Sequence, residues 1–120
     1  MVFGEYFHSL RTAKGKTQKQ IAEAIDKTAM YISGVESGKN GSFQEIDLEK
    51  IVYFLELTDQ ERLELYRNAA LSRNKLSKEI ADYILTRNRA YTILQMMQRR
   101  NLSDEELECI EKYILKIGEI

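Results

Sequence analysis

Little in this chain is equipped for covalent or metal chemistry. Its 120 residues hold one histidine, His8, and one cysteine, Cys109. A single cysteine forms no internal disulfide and no cysteine-based metal cage. One histidine leaves too few ligands for a zinc site and too few partners for a Ser-His-Asp arrangement. We therefore expect no catalytic residue, no metal and no cofactor, and read the chain as something other than an enzyme. Neither His8 nor Cys109 enters the candidate site. His8 reads as a surface residue, and Cys109 as a small helix residue without basic neighbours to activate its thiol.

What the residue types can do is bind through charge. The net charge of −1 says little, but its distribution says more. Residues 1–42 carry six Lys/Arg against four Asp/Glu, and residues 43–70 carry three against seven. Residues 71–100 carry seven against two, and residues 101–120 two against six. Charge alternates along the chain, so one face can be basic while the whole is acidic.

The elements that would position these charges are helices. The chain contains no Pro, the strongest helix breaker. Phe3, Phe7 and Leu10 share one face of a helix over about 2–13, closed by Gly15. Thr17-x-x-Gln20 has the form of a capping box, opening a helix that buries Ile21, Ala22 and Ile25. After a short turn at Asp26-Lys27, Thr28 caps a third helix, AMYISGVES, with Ile32 and Val35 inward and Gly38 as its stop. KNGS is a loop. Asp47 is placed to cap a fourth helix whose stripe is Leu48, Ile51, Val52 and Leu55. Thr58-x-x-Glu61 opens a fifth through about residue 72, with Leu63, Leu65, Tyr66 and Ala69 apolar. Three more helices are expected at about 77–86, 89–99 and 104–117, the last opened by Ser103-x-x-Glu106.

Two helices around a tight turn describe a helix-turn-helix only loosely. The stretch TQKQIAEAIDKTAMYISGVESGK makes it specific. It resembles the Cro/repressor-type (XRE) helix-turn-helix family of transcriptional regulators at Thr17-Gln18, Ile21-Ala22, Ile25, Thr28, Ile32-Ser33, Val35-Glu36 and Gly38-Lys39. The upstream FxxxFxxLR, from Phe3 to Arg11, is similar to that family's first helix. The resemblance covers about residues 3–70. It implies an all-α, lambda-repressor-like five-helix DNA-binding domain at 1–72, with a helical extension at 73–120.

The resemblance also implies roles. The third helix would lie in the major groove, with Thr28, Ala29, Met30, Tyr31, Ser33 and Gly34 facing base edges and Tyr31 the foremost reader. Gln18, Lys19, Lys27, Lys39 and Asn40 would contact backbone phosphate. Arg11 and Glu36 would form a structural ion pair. Asp26 stands where the family usually has Gly, and Asp tolerates a left-handed turn better than most residues. Ala29, Met30 and Gly34 stand where relatives often carry Gln, Arg or Asn, which predicts modest direct readout of sequence.

The implied partner is double-stranded DNA, bound as a homodimer through 73–120 to an operator, as expected of a repressor. The basic stretch 87–100 reads as the solvated side of a helix whose other side, with Tyr91, Leu94 and Met97, is apolar. In the final helix Leu107, Ile110, Ile114 and Ile117 share one face, suited either to capping the chain's own core or to pairing with a second subunit. The competing reading is a protein-interaction module, antitoxin-like or inhibitory, using the same helix-turn-helix face against a protein. No apolar run approaches the ~18 residues of a membrane span, and Glu5 and His8 interrupt the start where a signal peptide would be apolar. A cytoplasmic location is the expectation, with no membrane partner and no small-molecule ligand.

Overall fold

The structure, a computed structural model, describes residues 2–118. Eight helices and no strand occur among them: α1 (Phe3–Ala13), α2 (Gln18–Ile25), α3 (Ala29–Ser37), α4 (Glu45–Phe54), α5 (Asp59–Arg73), α6 (Lys78–Thr86), α7 (Asn88–Arg100) and α8 (Asp104–Lys116). The chain divides into two units after Lys78.

The first unit has one interior. Phe3 and Phe7, one turn apart on α1, are buried with Ile21, Ala22 and Ile25 of α2 and with Ile32 and Val35 of α3. Leu48 and Ile51 of α4 and Leu55 just past its end join them, as do Leu65 and Ala69 of α5. The stripes expected from helical spacing are thus the faces that meet. Leu63 is the exception and stays exposed.

Phe43 was not expected in the core, because it lies in the α3–α4 loop where no periodicity marks it. It is fully buried, with its ring edge-on to Phe7 at 4.8 Å and to Phe3 at 5.8 Å between centroids. Burial of a phenyl ring contributes about 1.5–3 kcal/mol, which fixes this loop against the bundle. Gly4 was also unmarked. A Cβ there would fall 2.6 Å from the carbonyl oxygen of Val35 and still closer to that of Glu36. Glycine therefore lets α1 touch the last turn of α3 backbone to backbone.

One cap differs from expectation. The residue before α4 is Gln44, not Asp47, and its side chain makes no capping bond. Asp47 lies inside the first turn and is buried. There its carboxylate faces the positive end of the helix dipole, which stabilises it without its serving as cap. The other caps are as the spacing predicts. Thr17/Gln20, Thr58/Glu61 and Ser103/Glu106 each form both bonds of a capping box. Glu61 serves twice, since Lys14 at the end of α1 pairs with it at 3.0 Å. The cap of α5 thereby ties that helix to α1.

Candidate nucleic-acid interface

The site is built on α2 and α3 and the turn between them. Thr17 accepts from the Gln20 amide at 3.1 Å while Gln20 Oε1 accepts from the Thr17 amide at 2.8 Å, which starts α2 sharply. Asp26 ends it in the left-handed region, at φ 58° and ψ 47°. Glycine enters that region without steric cost, and Asp is one of the few side chains that tolerate it. Thr28 then accepts from the Tyr31 amide at 3.1 Å and opens α3. Gly38, at φ 87°, stops it. Ala22 of α2 is nearly inaccessible, and its side chain is too small to hold packed helices apart.

A polar cluster braces this pair against α1. Arg11 Nε donates to Glu36 Oε2 at 2.7 Å and Nη2 donates to Oε1 at 3.0 Å, a two-pronged contact. A third prong, Nη1, donates to the Lys16 carbonyl at 2.8 Å. Arg11 is only 8% exposed. Burial by itself would raise the Glu36 pKa, but hydrogen bonds from Arg11, His8 and Gln18 outweigh it and hold the carboxyl below its ordinary value. The same hydrogen bond with Glu36 raises the pKa of Arg11. The cluster is therefore charged and satisfied at neutral pH.

Two members of the cluster were not anticipated there. His8 Nδ1 lies 2.8 Å from Glu36 Oε1 and 3.1 Å from Arg11 Nη2. Protonated, that nitrogen donates to the carboxylate; unprotonated, it accepts from the guanidinium. The spacing of His8 and Arg11, i and i+3 on one helix, was the available signal. Gln18 Nε2 donates to Glu36 Oε1 at 3.1 Å, so the side chain expected at phosphate is oriented from behind by the ion pair.

The outward face of α3 lies opposite Ile32 and Val35. Helical spacing puts Met30, Ser33, Gly34 and Ser37 there. Met30 is 84% exposed, and Thr28, Ala29 and Ser33 are exposed as well. Ser37, which no sequence signal marks, donates its hydroxyl to the Gly34 carbonyl at 3.2 Å. Tyr31 sits on the flank, half-buried, with its ring 6.1 Å from that of Phe43. Burial, and then the charge of Asp47, raise its pKa, while Arg73 works in the opposite direction. Around this face Lys19, Lys27, Lys39 and Asn40 are exposed. Lys27 Nζ lies over the Tyr31 ring, 5.8 Å from its centroid. Asn40 folds back on α3, its Nδ2 donating to the Tyr31 carbonyl at 3.3 Å.

Two short helices across a left-handed turn, braced by a buried Arg–Glu pair, agree with what a search of protein families returns. A family described as a helix-turn-helix domain matches residues 2–65, more than half of the chain. This chain belongs to the Cro-like helix-turn-helix family. That is a family of DNA-binding, typically non-enzymatic domains, and membership points to DNA as a partner. No curated protein and no solved structure matches the chain. None of the described helices is long and apolar enough to cross a membrane.

Proposed function

We propose that this helix-turn-helix protein is a sequence-specific regulator of transcription, a repressor that occupies an operator as a homodimer. The observation that carries the reading is the braced α2–α3 pair presenting an open face of small side chains ringed by lysines. In such a pair the third helix enters the major groove. Thr28, Ala29, Met30, Ser33 and Gly34 then approach base edges, and Tyr31 reaches them from the flank. Gln18, Lys19, Lys27 and Lys39 take phosphates and set the register. Met30 and Ala29 can contact only thymine methyls, so DNA shape supplies part of the specificity.

The second unit supports dimerisation. No residue of α6, α7 or α8 is buried. Tyr91, Ile93, Leu94 and Ile114 are among the large apolar side chains left exposed. Three amphipathic helices without an interior need a partner to cover them. Charge favours a second copy. In α7 there are three arginines and no carboxylate, whereas α8 carries five carboxylates against two lysines. Pairing α7 with the partner's α8 covers apolar stripes and joins opposite charges. Replacing Ile114 by Asp is then expected to convert a dimer to a monomer in sedimentation, with the first unit still folded.

Selection from a random duplex library at near-physiological salt tests the reading. An enriched palindrome is expected, its half-sites about one helical turn apart. Lys39→Ala should weaken binding to every sequence and lower the salt slope by about one. No enrichment from a folded protein would instead assign the α3 face, with Met30 at its centre, to a protein partner that DNA does not displace.

A further inference from the structure

The reading face of α3 is short of side chains that hydrogen-bond in pairs, and the loop behind it offers one. Gly34 points outward, opposite Ile32 and Val35, yet the space over it is occupied. A Cβ at Gly34 would fall into the Asn40 carboxamide, with Asn40 Cγ only 3.0 Å away. The Asn40 amide thus stands where a side chain at position 34 would begin. It is tethered at two points: its backbone N–H donates to the Gly34 carbonyl at 3.0 Å and its Nδ2 to the Tyr31 carbonyl at 3.3 Å. These bonds leave Oδ1 and the second Nδ2 hydrogen without a partner among the described residues, on an exposed residue.

We propose that Asn40 is the base-reading side chain beside the second half of α3, and that the base it reads is adenine. This rests on the DNA-binding reading above and moves Asn40 from the phosphate contacts to the base contacts. A carboxamide presents an acceptor and a donor side by side, matching N6–H and N7 of adenine in the major groove. Ser33 offers a single hydroxyl, the hydroxyl of Ser37 is turned back to the Gly34 carbonyl, and Met30 and Ala29 are apolar. The tether supplies what a loop residue ordinarily lacks, a fixed position relative to the helix in the groove. Gly34 is the condition for it, because any larger residue displaces the amide.

The test compares the full-length protein with Asn40→Ala and Gly34→Ala in the same library selection, with affinities measured across a salt series. Wild type should enrich adenine at one position of each half-site. Both variants should lose that preference alone and bind the enriched site roughly ten- to hundred-fold more weakly, with the salt slope unchanged. Ala favours helix over Gly, so Gly34→Ala remains informative even if Asn40→Ala folds poorly. Equal weakening on all sequences with a shallower slope would make Asn40 a phosphate contact and overturn the proposal. Unchanged base preference would leave the amide as a brace on α3 and overturn it also. If wild type itself enriches nothing, the DNA-binding reading fails, and this inference fails with it.

Discussion

The two units of this chain use the same helical vocabulary to opposite ends. Both contain capping boxes, left-handed stops and amphipathic stripes: Thr17/Gln20 and Thr58/Glu61 in the first, Ser103/Glu106 and Asn101 in the second. In the first unit thirteen apolar residues from all five helices and one loop are buried together. In the second no helix buries a single residue. Local signals make helices; only an arrangement of helices makes an interior, and the tertiary interactions supply most of the stability. A unit with its own core can hold a recognition surface rigid. One without a core is suited to being completed by another surface.

The sharpest way to break this comparison is to remove apolar bulk from each unit. Phe43→Ala should lower the unfolding free energy of the first unit by about 3–5 kcal/mol, read by urea denaturation. Leu94→Ala should leave that transition where it is and instead make the second unit melt at a lower, concentration-dependent temperature. A concentration-independent melt of the second unit would show that it has an interior of its own.

Acid sharpens the contrast at the Arg11–Glu36 pair. The Glu36 carboxyl is held below its ordinary value of 4.5. Its contribution is therefore complete above that value in the folded protein and is lost as pH falls through the lowered one. Stability of the first unit should drop on acidification below about pH 4.5. Glu36→Gln should give a lower plateau at neutral pH and a flatter acid limb. An unchanged acid limb would assign the loss to other carboxylates.

The smallest effect concerns local structure alone. Ser103→Ala removes one cap of α8 and should reduce its helicity at a cost of about 1 kcal/mol. Because no residue of that helix is buried, the fraying should appear in hydrogen exchange near Glu106 and not in the first unit.

Much of this is legible in the sequence. Thr17, Thr28, Thr58 and Ser103 announce helix starts because a short oxygen-bearing side chain can satisfy a free amide three residues on. Ile21, Ile25, Ile32 and Val35 announce the inward faces because a helix repeats every 3.6 residues. The misreading at Asp47 shows the limit of such rules. An acidic residue just before an apolar run fits both the cap and the first turn, and Gln44 starts the helix without any capping bond.

Other features depend on residues distant in sequence, and no local pattern reports them. Phe43 is a core residue only because α1 lays Phe3 and Phe7 against it. Gly4 is needed only because the end of α3 arrives there. His8 and Gln18 join Glu36, 28 and 18 residues away, through the folding of α1 and α2 around it.

By itself the sequence determined eight helical segments and the caps at Thr17, Thr28, Thr58 and Ser103, since these follow from short-range spacing, and its likeness to a helix-turn-helix family pointed to DNA. Only the tertiary structure decided what covers what. It buried Phe43, turned Tyr31 to the flank, laid Asn40 over Gly34 and left α6 to α8 without a core. Each of those outcomes depends on which surfaces meet, and burial is a property of pairs of surfaces that no single segment carries.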